Sequence, residues 1–123
     1  MNIIVDTHIF LWALSEPRKI SKNKRSVLED LSNTIYVSSI SIAELMIKTS
    51  IGKLKIDFNP AALALESGFL LLDFNADAAL LLKEMPFHHR DPFDRMLIAQ
   101  SLTNGYPIMT EDPKISMYEC RVL

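Results

Sequence analysis

The sequence has a single cysteine, Cys120, so it can form no internal disulfide and no cysteine-based zinc cluster. It also has no excess of positive charge. Thirteen Lys and Arg stand against fifteen Asp and Glu, and a net charge of −2 argues against a protein that coats itself in nucleic acid. A local basic patch stays open. There is no long apolar run either. The most apolar stretch, residues 61–74, is interrupted by Glu66 and Gly68 and falls short of the roughly 20 residues that a membrane span needs. The opening Met1-Asn2-Ile3-Ile4-Val5-Asp6 has no basic segment, and its apolar run is too short for a signal peptide. These absences make a soluble, cytoplasmic protein without a membrane partner the expectation. Internal repeats, linkers and low-complexity tracts are missing as well. What is present is a chain of 123 residues that is 49% apolar. That fits one globular domain over residues 1–123, able to bury roughly two-thirds of its unfolded surface.

Short apolar runs alternate with helical patterns along the whole chain. Residues 2–5 read as a buried strand. Asp6-Thr7 ends it and can cap a first helix, which stops near Glu16-Pro17 because proline disfavours helix at the residue before it. Residues 21–31 read as an amphipathic helix with Val27, Leu28 and Leu31 inward. Residues 35–37 form a second strand, running into a helix start at 38–44 that extends to about Ser50, with Gly52 as its stop. Asn59-Pro60 opens another helix that Gly68 closes. A third strand at 70–72 precedes a helix over 76–83. Asp91-Pro92 then opens the most distinctive helix, because Asp is a good N-cap and Pro suits the first helical position. Phe93, Met96, Leu97 and Gln100 follow its i, i+3, i+4, i+7 stripe, and Gly105 caps its end. Residues 106–109 read as a fourth strand, 110–113 as the start of a last short helix and 121–123 as a final strand. Strands this short, apolar on both faces and separated by helices, predict an α/β fold with a central, mainly parallel sheet of four to five strands flanked by helices.

In such a sheet the strand C-terminal ends and the following helix N-termini share one edge, and ligands bind in the crevice outside it. Four acids fall on that edge. Asp6 follows the first strand, Glu44 lies in the helix start after the second, Asp94 lies in the first turn of the helix from Pro92, and Asp112 follows the fourth strand. Each also has a purely local reading. Asp6 and Asp112 can be helix caps, Ser41-x-x-Glu44 matches a capping box, and Asp94 complements a helix dipole. Taken together, acids converging without a basic partner repel one another, and desolvating each costs several kcal/mol. A cation among them relieves both, and all-oxygen ligation favours Mg²⁺ or Mn²⁺. No serine or cysteine nucleophile is legible, since Cys120 lies far in sequence from His88 and His89.

The strand with Asp6-Thr7, the Ser41-Ile42-Ala43-Glu44-Leu45 helix start, the run Asp91-Pro92-Phe93-Asp94-Arg95-Met96-Leu97-Ile98-Ala99-Gln100, and Thr110-Glu111-Asp112 resemble the PIN-domain nucleases. Within that family they resemble the VapC-type toxins of bacterial toxin–antitoxin pairs. The resemblance covers essentially the whole chain, and the run from Asp91 is its most specific part. It implies a single PIN domain over 1–123 with an endoribonuclease activity dependent on Mg²⁺ or Mn²⁺. It implies that Asp6, Glu44, Asp94 and Asp112 are the catalytic, metal-holding acids. Thr7, Asp91 and Thr110 support them, with Asp91 read first as the helix cap. It also implies an RNA substrate, a cognate antitoxin received in a hydrophobic groove, and a homodimer. His8 departs from the small polar residue that family members often carry there.

The substrate grip is less legible. Arg90 and Arg95 flank the acids and are candidate RNA contacts, and Arg95 could equally pair with an acid. Arg18, Lys19, Lys22, Lys24 and Arg25 form a basic cluster that can be a solvated helix face or a backbone contact. His88 and His89 read as a solvated loop, or as one that touches substrate phosphate beside the site. Trp12 is core or part of a partner groove. Rival functions are a PIN nuclease in RNA processing outside toxin–antitoxin pairs, a PIN-like binding module that does not cut, and a phospho-acceptor receiver built on Asp73. Receivers need paired acids after the first strand, where this chain has only Asp6-Thr7.

Overall fold

The computed structural model describes residues 1–123. Four strands, β1 (Asn2–Val5), β2 (Thr34–Ser38), β3 (Leu70–Leu72) and β4 (Ile108–Met109), form one sheet in the order β3-β2-β1-β4. Every pairing is parallel, with Val5 opposite Val37 on one side and Met109 on the other. A single parallel bridge between Ile108 and Val122 begins a fifth strand beside β4. β1 is central, and its side chains are buried on both faces, as a helix-covered parallel strand requires. Ile3 and Val5 join Phe10, Val37 and Leu45 in one core layer. Ile4 joins Leu97, Ile98, Ile108 and Ile115 in the other.

The helices are α1 (Thr7–Ser15), α2 (Lys22–Glu29), α3 (Ser39–Ser50), α4 (Pro60–Glu66), α5 (Ala76–Leu81) and α6 (Pro92–Asn104). Several are started by the caps the sequence announces. Asp6 accepts from Ile9 N, Asn59 from Ala62 N, and Asp91 from Phe93 N and Asp94 N. Gly105 closes α6 at φ 68°, a left-handed conformation that glycine adopts without a Cβ penalty.

Four local readings need correction. α2 ends at Glu29, so Leu31 lies beyond it and is fully exposed rather than inward. α6 buries Arg95, Leu97, Ile98, Ala99, Gln100 and Ser101, most of its circumference and not one stripe, because it packs under the sheet between other elements. β3 is an edge strand, and Leu70 and Leu71 stay exposed. The last helix is only a 3₁₀ turn, Ile115–Met117. None of these moves the strand C-terminal edge, along which Asp6 is flanked by Ser38 and Thr110.

Candidate metal centre

Asp6 is the innermost acid of that edge. It is buried at the end of the central strand, with its Oδ1 accepting from Ile9 N (2.8 Å) and its Oδ2 from Thr110 Oγ1 (2.5 Å). Burial raises its pKa, the Thr110 and Ile9 hydrogen bonds oppose the rise, and the Asp112 charge adds to it. Asp94 reaches the same place from the first turn of α6. Its carboxyl is pushed up to about 7, first by burial and then by the charge of Asp91, with Asp6 and Glu44 adding to the rise and His89 opposing it. Asp112 arrives from the turn after β4. Burial works against its ionisation, but hydrogen bonds from Lys114 N and His89 outweigh that and hold it below the usual carboxylate range. Asp6, Asp94 and Asp112 line one cleft of about 250 Å³, together with His8, Trp12 and Glu111.

Glu44 stands apart from these three. It is not in the first turn of α3 and makes no capping box. Ser38 is the cap, accepting from Ile40 N, and Glu44 sits in the second turn. There it is buried, ion-paired with Lys48 on the next turn, and its Oε1 accepts from Thr7 Oγ1 (2.7 Å). Thr7 Oγ1 also lies 2.9 Å from Ser41 Oγ. Thr7 and Thr110 thus hold the two most buried acids, Glu44 and Asp6. Asp91 faces the cap: its Oδ1 accepts from Phe93 N (2.8 Å) and Asp94 N (3.2 Å).

The expectation that the acids lack a basic partner is overturned twice. Lys48 neutralises Glu44. His89, expected in a solvated loop, is buried, with Nε2 2.7 Å from Asp112 Oδ2 and 3.1 Å from Asp94 Oδ2. The Glu44–Lys48 spacing of i, i+4 is a legible helix pair. His89 carries no such signal, because its position depends on a loop conformation. Arg95 is also corrected as a substrate contact. It is buried and turned away from the cleft, donating to the carbonyls of Pro86 (2.7 Å), Leu82 (3.3 Å) and Met85 (3.4 Å) and to Tyr118 Oη (3.1 Å). Arg90 is exposed in the loop before α6. Within the basic cluster, Lys24 is taken up by Thr110 O (2.8 Å) and Glu111 (3.0 Å), so it steadies the site's own turn. Trp12 is half-buried between the acidic cleft and a second cleft lined by Leu11, Leu54, Ile56, Phe58 and Leu63.

The donor set fits a hard divalent cation. It is rich in carboxylate oxygen, and two of its acids, Asp6 and Asp94, resist ionisation as the chain stands. One oxygen each of Asp94 and Asp112 and a ring nitrogen of His89 lie within 4.8 Å of one another.

An all-parallel α/β sheet with an acidic cleft at the C-terminal edge of its central strand defines a class, and the sequence match agrees with it. A PIN-domain family model matches residues 3–119, and the chain belongs to the PIN-domain family. PIN domains are generally nucleases. Three solved structures share the fold. VapBC2 from Rickettsia felis, bound to a DNA fragment from its promoter, is 22% identical with a TM-score of 0.76, over 100% of this chain and 98% of that one. DNA-bound VapBC from Salmonella typhimurium is 18% identical at 0.69, over 100% and 97%. FitAcB from Neisseria gonorrhoeae is 21% identical at 0.64, over 98% and 96%. Among curated proteins none matches the chain by sequence. The receiver reading does not survive: its sheet runs 2-1-3-4-5, whereas this one runs β3-β2-β1-β4. No helix is long and apolar enough to cross a membrane.

Proposed function

We propose that this PIN domain is a Mg²⁺- or Mn²⁺-dependent endoribonuclease and the toxin of a toxin–antitoxin pair. The observation that carries the reading is the meeting of Asp6, Asp94 and Asp112, from three separate elements, in one cleft at the strand C-terminal edge. Asp6 and Asp94 would hold the ion most directly, Asp112 from the open side, and Glu44, whose charge is felt at Asp94, once Lys48 shares it. A bound ion supplies a water of lowered pKa for in-line attack on a phosphodiester and neutralises charge on the phosphate. The chain's own part is to keep these carboxylates pointed. Thr110 and the Ile9 amide fix Asp6, Thr7 fixes Glu44, and the Asp91 cap fixes where α6 begins and hence where Asp94 stands. Asp94 must give up a proton for the ion. The cleft's acidity suits an anionic substrate only when the ion is present, because the ion inverts the local field.

The toxin reading draws support from the VapBC and FitAcB structures that share the fold. The apolar cleft of Leu11, Trp12, Leu54, Ile56, Phe58 and Leu63 suits an amphipathic antitoxin segment, and the domain would pair as a homodimer. The test is incubation of the purified chain with structured RNA plus Mg²⁺ or Mn²⁺, with and without chelator. The same assay is repeated with the product of a neighbouring reading frame that encodes a small DNA-binding protein. Metal-dependent cleavage that the neighbour suppresses, with growth arrest when the chain is expressed alone, is expected. Cleavage indifferent to chelator contradicts the metal reading. Cleavage that no neighbour suppresses, with unimpeded growth, leaves the nuclease and contradicts the toxin.

A further inference from the structure

His89 is held from both ends. Its backbone N–H donates to Tyr118 Oη (3.0 Å), and its carbonyl faces the Arg95 guanidinium. Arg95 straps the rest of the loop to α6 through the carbonyls of Pro86, Met85 and Leu82. The ring is held as firmly. Nδ1 lies 3.2 Å from Asp91 N, and Nε2 faces Asp112 Oδ2 and Asp94 Oδ2. A backbone N–H can only donate, so Nδ1 must present its lone pair. The proton of the neutral ring then sits on Nε2 and is donated to the two carboxylates.

We infer that His89 is a positioning residue, locked as the Nε2–H tautomer by the Asp91 backbone amide, which sets Asp94 and Asp112 for the divalent cation without itself ligating it. Ligation through Nε2 would move the proton to Nδ1, where it would oppose the Asp91 N–H donor to donor. The ring engages Asp94 through Oδ2 and so leaves Oδ1 for a cation. The usual roles are thereby exchanged. In most sites a carboxylate orients a ligating histidine from behind, and here a histidine orients the carboxylates. This inference rests on the metal-site reading above.

Two measurements test it. The first is the long-range ¹⁵N–¹H correlation spectrum of the ¹⁵N-labelled chain at pH 8, before and after Mg²⁺, with the His89 signals assigned by their loss in His89→Gln. A protonated Nε2 and an unprotonated Nδ1 are expected in both spectra. A Nδ1–H ring, a doubly protonated ring, or an Nε2 that loses its proton when Mg²⁺ is added overturns the inference. The second is calorimetric titration of Mg²⁺ into wild type, His89→Gln and His89→Asn, with each variant's folding checked by thermal unfolding. Glutamine carries an amide N–H out to the place of Nε2–H, whereas asparagine reaches only as far as Nδ1. His89→Gln should bind within about threefold of wild type, and His89→Asn about 10–100-fold more weakly, the range seen when a supporting partner of a metal ligand is lost. Equal affinity in all three, or a glutamine variant as weak as the asparagine one, overturns the positioning role. A wild type that binds no Mg²⁺ overturns the metal site itself, and that result is distinct from intact wild-type binding with indifferent variants.

Discussion

Asp94 is the residue on which the chemistry and the stability of this fold pull in opposite directions. Its folded pKa of about 7 lies above the ordinary 3.8, chiefly because it is buried and because Asp91 is close. An acid whose pKa rises on folding favours the folded state while protonated. That advantage is present below about pH 4 and is lost as pH rises through 7. Without metal, therefore, Asp94→Asn should be more stable than wild type at pH 8, by about 1–2 kcal/mol, the usual scale of a single stabilising substitution. The gain should shrink towards pH 4, where both chains carry a neutral group. Paired thermal melts in chelator at the two pH values check this. Equal melting temperatures at pH 8 would mean that Asp94 is not strained by its neighbours. Asp112 runs the other way, since its pKa is lowered, and its contribution is lost on acidification below the ordinary carboxylate value.

At the level of elements, α6 places the acid and its cap places α6. Asp91 accepts from two amides of the first turn, and asparagine caps about as well as aspartate. Asp91→Ala should cost about 1 kcal/mol of stability, and Asp91→Asn close to nothing. Because the Asp91 charge is the strongest electrostatic push on Asp94, Asp91→Asn should also carry Mg²⁺ binding to lower pH, read by titration at pH 6 and 8. An unchanged pH profile in Asp91→Asn would remove Asp91 as a cause of the Asp94 shift.

The sequence made this element plain, because cap, proline and C-terminal glycine are local signals. The same holds for β1, for the parallel sheet, and for the positions of Asp6, Asp94 and Asp112 on a shared edge, which follow from strand order and period. What it left dark depends on packing. Arg95 reads as a surface cation beside an acid, and only the loop of 82–89 folded over it makes it a buried strap. His89 reads as solvated until that loop brings it between two carboxylates. Glu44 reads as a capping-box member because Ser41 stands three residues before it, but the helix begins earlier, at Ser39, with Ser38 as the cap.

For the whole molecule, the acidic edge is a built-in load that a ligand can relieve. Two core layers pack on β1 from both faces, one with α1 and one with α6, and so bring Asp6 and Asp94 to one edge. A divalent cation that binds only the folded chain stabilises it by about 2.7 kcal/mol at a hundredfold excess over its Kd. Mg²⁺ should therefore raise the melting temperature of wild type, and more at pH 8 than at pH 6, where the proton on Asp94 competes with the ion. Asp94→Asn should show little of this shift at either pH. A shift of equal size in wild type and variant would place the bound ion elsewhere on the surface.

In the proposed mechanism these carboxylates cut RNA through a metal ion. Its most direct test is the rate of RNA cleavage in Mg²⁺ by wild type and by Asp94→Asn, both shown to be folded. Wild type should cleave, chelator should abolish that cleavage, and the variant should lose about a hundredfold or more, the scale on which single catalytic electrostatic contacts act. Equal cleavage by the two proteins would contradict the mechanism.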